Sequence, residues 1–531
     1  MSVASRFARI AVRHLHRAAP LALLLSLVPA AASCSLGVFE RTSCKSDGDC
    51  VSALGPGNVC VEDGFCGQGE NSCSSTADCR TRLGFGFICG GGGLCEAVEP
   101  LNRCTKTFPE NLFDSPTLGN AVVIGNLMDR SLETHQAREN SAQLAVDQAN
   151  AAGGLEGRTF GQVFCTVEEN TTYDELARAD AAVASATWLT QTLGVPAIVG
   201  PAASGDASAV FAAIREDGVL LISPSATSPA LTGEDNTEPT DESPGLLWRT
   251  CPPDSIQGKV MAEDLRSRDV DTVEVVYQQG AYGEELSRVF QEEFAAQGGT
   301  PDSSPNVYMD PTEIGPLASQ LADTGAQEVV FISSQAADVA AFLNAASVGD
   351  LLVKYETKGI FLTDAAANAD VLMNAQADLF PNVRGTRPAR PTGPVNAAFN
   401  GAYASAFGGE DVSKFSFTAH AFDAAWLVLY GSAWSQLQLG EISGIGIARG
   451  LRKVSGPGET VEVGGSKYKS VIQAFRNGNA VDVVGASGEL NYDPAIEETT
   501  APIEVWRINQ CMPEAPAFES LMVGEIPGPC P

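Results

Sequence analysis

The chain has 531 residues, a formal net charge of −32 and 44% hydrophobic residues. This length gives room for about two to four domains, and the apolar content favours a globular protein. The negative charge opposes binding to nucleic acid, because phosphate contacts need clustered lysine and arginine. It also opposes binding to anionic membrane surfaces, so we interpret the acidity mainly as a source of solubility.

The N-terminus is predicted to be a signal peptide over residues 1–33. Basic residues precede a short apolar segment, Ala18–Pro29, and small residues follow at Ala30–Ser33. The apolar segment is too short to span a bilayer stably. Cys34 comes next and resembles the lipidated cysteine of bacterial lipoproteins, although Ala31 stands where that pattern prefers leucine. We expect an exported protein of the periplasm or cell surface, tethered to the membrane through lipidated Cys34, with plain secretion as the alternative.

A tandem repeat of cysteines follows a short tether over residues 34–43. The spacing C-x5-C-x9-C-x5-C occurs over residues 44–66 and again over 73–95, at an offset of 29 residues. In an exported chain these cysteines are expected to form disulfides within each unit, in an order that the sequence does not determine. Zinc is the alternative, but the module contains no histidine. The disulfide candidates of the whole chain are Cys44, Cys50, Cys60, Cys66, Cys73, Cys79, Cys89, Cys95, Cys511 and Cys530.

The cysteines outside the repeats are even in number only if Cys34 is counted among them. They lie at positions 34, 104, 165, 251, 511 and 530. If Cys34 is lipidated, one thiol is left over, which favours either a free buried cysteine or an unlipidated Cys34. Cys511 and Cys530 are predicted to close the C-terminal tail as a loop.

Strands and helices alternate after the repeats. Ala121–Leu127 is predicted to be a strand buried on both faces, and a helix over residues 133–151 follows it. A strand is predicted at Phe160–Val167 and a long alanine-rich helix at Tyr173–Leu193. This alternation indicates a parallel sheet with right-handed crossovers.

Two further strands end in turns rich in small hydroxyl residues. Val195–Val199 leads to a helix that begins near Ser204, and Val219–Ile222 leads to Ser223–Ser228. In an open parallel sheet, ligands bind just past the carboxyl ends of the strands. Ser204 can cap its helix and face an anion there. The alternative is two ordinary turns with capping serines.

A second alternation of helix and strand begins after Trp248 and runs to about residue 362. From about residue 385 the chain is expected to return to the first lobe through two helices, and after Gly485 to cross back again. Such repeated crossings between two lobes would make a hinge. The acidic loop at residues 233–245 is predicted to be solvated, with a lid or a partner contact as the alternative.

Seven segments carry a family resemblance in chain order. They are Ala145–Gly154, Gly200–Ser204, Ile222–Thr232, Trp248–Ser255, Ala281–Glu284, Gly485–Asp493 and Ile503–Ile508. Together they resemble a type I periplasmic binding protein of the leucine/isoleucine/valine-binding family, over roughly 390 residues. The resemblance implies an α/β fold with two parallel-sheet, Rossmann-like lobes and a hinge, here preceded by a small disulfide-rich module.

The predicted domain boundaries follow from these assignments. The domains are a signal peptide (1–33), a tether (34–43), the cysteine-rich repeats (44–104), a two-lobed domain (119–510) and a C-terminal tail (511–531). Lobe 1 is predicted over about 119–250 and 386–484, and lobe 2 over about 251–385 and 485–510.

The resemblance also implies a ligand and the residues that hold it. The ligand would be a small solute, an amino acid of branched-chain type, bound between the lobes. Ser204 and Thr227, with the backbone near Ala203, Ser225 and Ala226, would hold its carboxylate.

The second lobe would supply two more contacts. Tyr282 would cover the ligand, and Asp364 would pair with its ammonium group because a buried charge must be paired. The alternatives are a partly buried aromatic for Tyr282 and a helix cap for Asp364. The turn after the first strand lacks the glycine-rich stretch of the family, so Met128 and Asp129 are expected to narrow the cleft.

The sequence contains few of the residues and motifs that are typical of enzyme active sites. Outside the signal peptide the histidines are His135 and His420, both on predicted helices where packing explains them. There is no G-x-S-x-G, H-E-x-x-H or Walker motif. We predict a protein that is not an enzyme, with no cofactor and no metal site. Its expected partners are a small-molecule ligand, an ABC permease and the membrane through a lipid anchor. A surface or sensory receptor not coupled to transport is the alternative, motivated by the cysteine-rich repeats.

Overall fold

The computed structural model describes residues 41–169, 173–235, 238–511 and 515–526. The predicted signal peptide, the lipidation candidate Cys34 and Cys530 lie outside this part of the chain. Within the described residues, no helix is both long and apolar enough to cross a membrane. The predicted fold class is confirmed, because two sheets of largely parallel strands covered by helices follow a small disulfide-bonded module.

Each cysteine repeat folds as a short helix followed by a two-stranded hairpin. The elements are α1 (Asp47–Leu54), β1 (Asn58–Cys60), β2 (Cys66–Gln68), α2 (Thr76–Leu83), β3 (Phe87–Cys89) and β4 (Cys95–Ala97). Both helices begin with a capping box made by a serine and the aspartate three residues after it. The serine side chain accepts from the aspartate N–H, and the aspartate side chain accepts from the serine N–H. These bonds fix the start of a helix in a unit too small for a hydrophobic core.

The cysteines of the repeats are consumed in disulfides within each unit, as expected. The pairs are Cys44–Cys60, Cys50–Cys66, Cys73–Cys89 and Cys79–Cys95. Both units use the same connectivity, first to third and second to fourth. These pairs support the disulfide prediction over the zinc alternative, because a sulfur atom in a disulfide is not a thiolate ligand.

The second repeat is attached to the first lobe. A disulfide joins Cys104 to Cys165, which lies on a buried strand of the lobe, and Arg80 Nη2 donates to the Leu193 carbonyl at 2.7 Å. Cys251 is free and buried, which is one of the two alternatives that the odd cysteine count left open. Cys511 is disulfide-bonded.

The first lobe is built on a six-stranded sheet. Its strands are β5 (Lys106–Phe108), β6 (Val122–Met128), β7 (Phe160–Thr166), β8 (Ala197–Val199), β9 (Leu220–Ser223) and β10 (Leu247–Arg249). Its first helices are α3 (Glu133–Ala151), α4 (Arg178–Thr187) and α5 (Ser204–Ile214). The strand order is β10-β9-β8-β6-β7-β5, parallel except for β5. Every residue of β6 is buried, as expected of an apolar strand covered on both faces.

The second lobe is built on a seven-stranded sheet. Its helices are α6 (Asp254–Ser267), α7 (Ala281–Ala296), α8 (Ile314–Ala322), α9 (Ala336–Ala346), α10 (Asp350–Tyr355) and α11 (Ala369–Asn374). Its first strands are β11 (Val273–Gln278), β12 (Asn306–Tyr308), β13 (Glu328–Ile332), β14 (Gly359–Leu362) and β15 (Val383–Pro388). They are parallel in the order β12-β11-β13-β14-β15, so their carboxyl ends share one edge.

The chain then returns to the first lobe. The returning elements are α12 (Pro394–Ala406), α13 (Thr418–Leu439), α14 (Gly444–Leu451), β16 (Glu459–Glu462), α15 (Gly465–Arg476) and β17 (Val481–Val484). All residues from Thr418 to Ser435 of α13 are buried, because this helix is apolar on nearly every side and packs between α3 and α14.

A third crossing ends the chain in the second sheet. The last strands are β18 (Tyr492–Asp493), β19 (Glu498–Thr499), β20 (Ile503–Asn509) and β21 (Ala517–Leu521). Strand β20 pairs antiparallel with β15, and β21 pairs with β20. The segment between β10 and α6 and the segment between β15 and α12 make the other two crossings.

Two edge strands lie where the sequence analysis assigned none. Strand β5 extends the first sheet before residue 119, and β21 lies in the segment assigned to the C-terminal tail. Each is held by contacts that a local pattern does not reveal. Lys106 Nζ on β5 pairs with Glu139 at 2.7 Å, and Phe518 on β21 meets Trp506 edge-on with 5.1 Å between ring centroids. The acidic loop is bound to the first lobe, since Asp241 pairs with Arg452 at 2.7 Å.

Candidate ligand-binding site

A cleft lies between the two lobes and has a volume of about 580 Å³. Lobe 1 contributes the start of α3, the turn between β8 and α5, and the turn after β9. Lobe 2 contributes the start of α7 and the turns after β13 and β14. All these turns follow the carboxyl ends of parallel strands, where open α/β sheets bind ligands. The volume falls within the range of about 300–1,000 Å³ typical of small-molecule sites.

The cleft brings together five of the seven ligand-binding residues proposed from the sequence. Ala203, Ser204, Ser225, Tyr282 and Asp364 all line it.

Ala226 and Thr227 do not line the cleft. Their side chains are buried behind its wall, 0% and 1% exposed. The turn that carries them is anchored by Ser223, whose Oγ accepts from the Ala226 N–H at 3.0 Å and donates to the Pro201 carbonyl at 2.5 Å. This anchoring holds a turn in which Ser225 lines the cavity, whereas the Thr227 side chain lies beside the buried Asp254.

The serines of lobe 1 differ in what they offer a ligand. Ser204 is the first residue of α5 and does not cap the helix. Its Oγ accepts from the Ser228 N–H at 3.2 Å, which leaves its own hydroxyl proton to be donated. The Ser225 hydroxyl donates to the Ala202 carbonyl at 3.0 Å and accepts from Arg138 Nη1 at 3.1 Å, so it is engaged by the protein.

Tyr282 and Asp364 form one buried polar group on lobe 2. The Tyr282 hydroxyl donates to Asp364 Oδ1 and lies 2.9 Å from Thr363 Oγ1. Gln257 Nε2 donates to the same carboxylate at 3.2 Å. Burial raises the pKa of Asp364, while the hydrogen bonds from Tyr282 and Gln257 oppose the rise. Burial and the adjacent carboxylate also raise the pKa of Tyr282 well above its usual value.

A second buried acid stands beside Asp364. Asp254, the first residue of α6, is fully buried beside the Thr227 side chain, whose hydrogen bond opposes a rise of the Asp254 pKa. Burial raises its pKa well above the usual value, and the charge of Asp364 raises it further. Ionisation of both carboxylates in one apolar environment costs free energy, because two like charges lie close together without solvent. This pair therefore favours a bound cationic group or a retained proton.

The sequence analysis missed two arginines that line the cleft. Arg138 on α3 is 7% exposed and lies over the Phe417 ring, with 5.2 Å from its guanidinium carbon to the ring centroid. Arg178, at the start of α4, pairs with Asp206 at 2.7 Å and with Asp129 at 2.5 Å. Neither Asp129 nor Met128 lines the cleft, so the expected narrowing by these residues is not found. Arg138 lies at a position of α3 where the helical pattern predicts a buried residue. A charged residue at such a position was the sequence signal for a site.

Both histidines of the described residues are held neutral by their surroundings. Burial lowers the pKa of His420 to about 3, with a further contribution from Arg138. His135 lines the cleft, and the loss of solvation together with Arg138 and Arg178 lowers its pKa well below the usual value. His135 Nδ1 accepts from the Asp129 N–H at 3.2 Å, which assigns this histidine a structural hydrogen bond.

Comparison with known proteins gives the family. Residues 128–485 match the family model described as periplasmic binding protein. A chemotactic signal transduction substrate-binding protein of Halobacterium salinarum is 28% identical over 407 residues, which is 71% of this chain and 82% of that protein. A Leu/Ile/Val-binding protein homologue of Brucella melitensis is 29% identical over 36% of this chain and 48% of its own length.

The solved structures agree on the fold. The isoleucine complex of LivJ, a branched-chain amino acid transporter substrate-binding protein from Streptococcus pneumoniae, superposes with a TM-score of 0.55 at 21% identity, over 76% of this chain and all of that one. The family model describes a binding protein, and it implies export. The chain belongs to the periplasmic binding protein family and has its type I, two-lobed fold, as the sequence resemblance implied.

Proposed function

We propose that this protein binds a small solute, an amino acid of branched-chain type, between its lobes and delivers it to an ABC importer. The observation that carries the proposal is the polarity of the cleft. Lobe 1 lines the cleft with Ala203, Ser204 and Ser225, of which Ser204 has a hydroxyl proton left to donate, and lobe 2 lines it with Tyr282 and Asp364. An amino acid carries a carboxylate and an ammonium group, so it would meet complementary groups on opposite walls. The Leu/Ile/Val-binding name of a relative supports the same ligand class.

In this proposal the ligand carboxylate lies at the start of α5. The Ser204 hydroxyl and the backbone near Ala203 and Ser225 would donate to it, helped by the positive end of the helix dipole. Thr227 and Ala226 do not line the cleft, and their role would be to fix the conformation of the turn that carries Ser225. Asp364 would accept from the ammonium group, and Tyr282 would cover the ligand.

Attachment to a membrane through lipidated Cys34 remains part of the proposal. It rests on the small residues before Cys34, which lies outside the described residues. Mass spectrometry of the mature protein tests it directly: a diacylglyceryl mass on an N-terminal Cys34 is expected, and a free thiol there would contradict it.

A sensory role without transport is the second candidate. The relative from Halobacterium salinarum is named as part of a chemotactic signal transduction system. Loss of solute uptake on deletion of the gene would favour import, whereas loss of chemotaxis with normal uptake would favour sensing.

The decisive test of binding is thermal unfolding of the full chain against a panel of amino acids, amides, organic acids and sugars. A ligand at 100 times its dissociation constant should raise the free energy of unfolding by about 2.7 kcal/mol. We expect the largest shift with leucine, isoleucine or valine. A protein that no solute stabilises would contradict the proposed function.

A further inference from the structure

We propose that Arg138 is the anion-recognising residue of the cleft, and that a ligand of this protein must present a carboxylate to it. The inference rests on the proposed solute-binding function and names the chemical class of its ligands. It adds a charged partner to the neutral donors of the carboxylate site.

The hydrogen bonds of Arg138 leave its charge uncompensated. Nε donates to the Ser416 carbonyl at 2.9 Å, Nη1 to Ser225 Oγ at 3.1 Å, and Nη2 to Ser416 Oγ at 2.9 Å. All three acceptors are neutral. A guanidinium group has five N–H donors, so two remain for a ligand. Since Arg138 lines the cleft, these donors belong to the wall that a ligand would contact.

Other buried arginines of the described chain show what Arg138 lacks. Arg103, Arg249, Arg384 and Arg387 are each at most 8% exposed, and each forms an ion pair with a carboxylate. Arg138 has no carboxylate within 4.0 Å among the described residues. A buried charge without a partner is costly. The arrangement is therefore stabilised when an anion enters the cleft.

Asp364 does not fill this role. It acts on Arg138 from the opposite lobe, but its carboxylate already accepts hydrogen bonds from Tyr282 and Gln257. The two charges stand on opposite walls of one cavity. A ligand with a carboxylate toward Arg138 would fit between them.

Arg178 strengthens the anion site. Its Nε and Nη1 are held by Asp206 and Asp129, whereas its buried Nη2 has no acceptor among the described residues. Arg178 lines the same cleft and is close enough to Arg138 to lower its pKa. Asp129 and Asp206 already balance the charge of Arg178, so Arg178 adds an N–H donor to the site while Arg138 supplies the uncompensated charge. A carboxylate fits best, since two oxygens in one plane match the guanidinium fork.

The test compares carboxylates with their amides in the full chain. Isothermal titration is carried out with L-leucine against L-leucinamide and with benzoate against benzamide, on the native protein and on Arg138→Gln. The native protein should prefer each carboxylate that binds. Arg138→Gln should weaken carboxylate binding roughly tenfold to 150-fold and leave amide binding unchanged, because a hydrogen bond to a charged group is lost.

Arg158→Gln is the matched control. Arg158 also hydrogen-bonds to neutral acceptors, the Asn120 carbonyl at 2.8 Å and Gln436 Oε1 at 3.2 Å, but it does not line the cleft. This variant should keep the native preference. If Arg138→Gln does not fold, Arg138→Lys takes its place. This variant keeps the positive charge without the planar guanidinium group, so it should retain part of the carboxylate preference.

Several results would overturn the inference. They are equal native affinity for a carboxylate and its amide, equal loss of both in the Arg138 variants, and stabilisation of the native protein by none of the carboxylates. If only a neutral solute such as a sugar binds, the anion site and the amino-acid ligand are wrong, while solute binding between the lobes stands. If no solute of any class binds, the proposed function itself fails.

Discussion

The carboxyl group of Asp364 shows how one residue depends on its neighbours. It is 5% exposed and accepts hydrogen bonds from Tyr282 and Gln257. Burial raises its pKa, so its ionisation in an empty cleft costs free energy. A ligand ammonium group would supply the missing positive charge. Asp364 is therefore the residue whose role in amino-acid binding can be tested most directly.

Asp364→Asn should weaken binding of L-leucine roughly tenfold to 150-fold, because a charged hydrogen bond becomes a neutral one. The affinity for 4-methylpentanoate, which is leucine without its amino group, should change little. The amide oxygen can still accept from Tyr282, so the fold should be retained. Isothermal titration with both compounds measures the difference.

Asp338→Asn is the control for this prediction. Asp338 is also buried in lobe 2, where it accepts from the Tyr308 hydroxyl at 2.8 Å, but it does not line the cleft. This variant should bind both compounds normally. Equal weakening of leucine and 4-methylpentanoate by Asp364→Asn would argue against an ammonium partner.

At the scale of elements, the cysteine-rich module is joined covalently to the first sheet. The Cys104–Cys165 disulfide spans a separation of 61 residues and ends on β7, a fully buried strand next to the edge strand β5. Hydrogen bonds add to this attachment, since Trp188 Nε1 donates to the Glu99 carbonyl at 3.0 Å. The second repeat is thus bound to lobe 1 on the side of α4.

Replacing Cys104 and Cys165 together by alanine should lower the free energy of unfolding of the first lobe by about 2–4 kcal/mol, since the disulfide restricts the unfolded chain. Urea denaturation followed by tryptophan fluorescence measures the change. The control is the Cys79 and Cys95 pair, whose separation is 16 residues within one repeat. Its removal should affect the module and leave the lobe transition in place. An unchanged lobe transition in the first variant would contradict the prediction.

At the scale of the whole molecule, two lobes joined by three crossings face each other across the cleft. Direct contacts also bridge them. Thr134 Oγ1 on α3 donates to Asn368 Oδ1 at 3.1 Å, and the Ser228 hydroxyl donates to the Ala281 carbonyl at 2.6 Å. These contacts form only when the lobes are close. They therefore favour the state in which a ligand can touch both walls.

Thr134→Val should weaken the binding of a ligand roughly twofold to tenfold, because it removes one hydrogen bond that exists only between close lobes. Asn368 Oδ1 keeps its bond from the Asp370 N–H at 3.0 Å, so no buried acceptor is stranded. Stopped-flow measurement should show faster dissociation. Thr357→Val is the control, since the Thr357 hydroxyl bonds to Lys354 within lobe 2. An unchanged dissociation rate would show that this hydrogen bond does not stabilise the closed state.

The predictable part of the fold rests on patterns that are short in sequence. The duplicated cysteine spacing predicted disulfides within each repeat, and the alternation of apolar strands with helices predicted two parallel sheets. The serine-rich turns after β8 and β9 predicted one wall of the cleft. Each pattern is local, because strand period, helix period and turn chemistry depend on residues close together along the chain.

The tertiary structure decided which distant groups meet. Arg138 donates a hydrogen bond to Ser416, which is 278 residues away in sequence. This packing places an arginine of α3 in the cleft, where it has no acidic partner among the described residues. The same packing placed Ser225 at the surface of the cleft and Thr227 behind it, and it added β5 and β21 to the sheet edges. The sequence by itself determined the lobes, the disulfide-bonded repeats and the class of turn at the cleft. Burial and charge pairing, which depend on the packing of segments far apart in the chain, decided the polarity of the site.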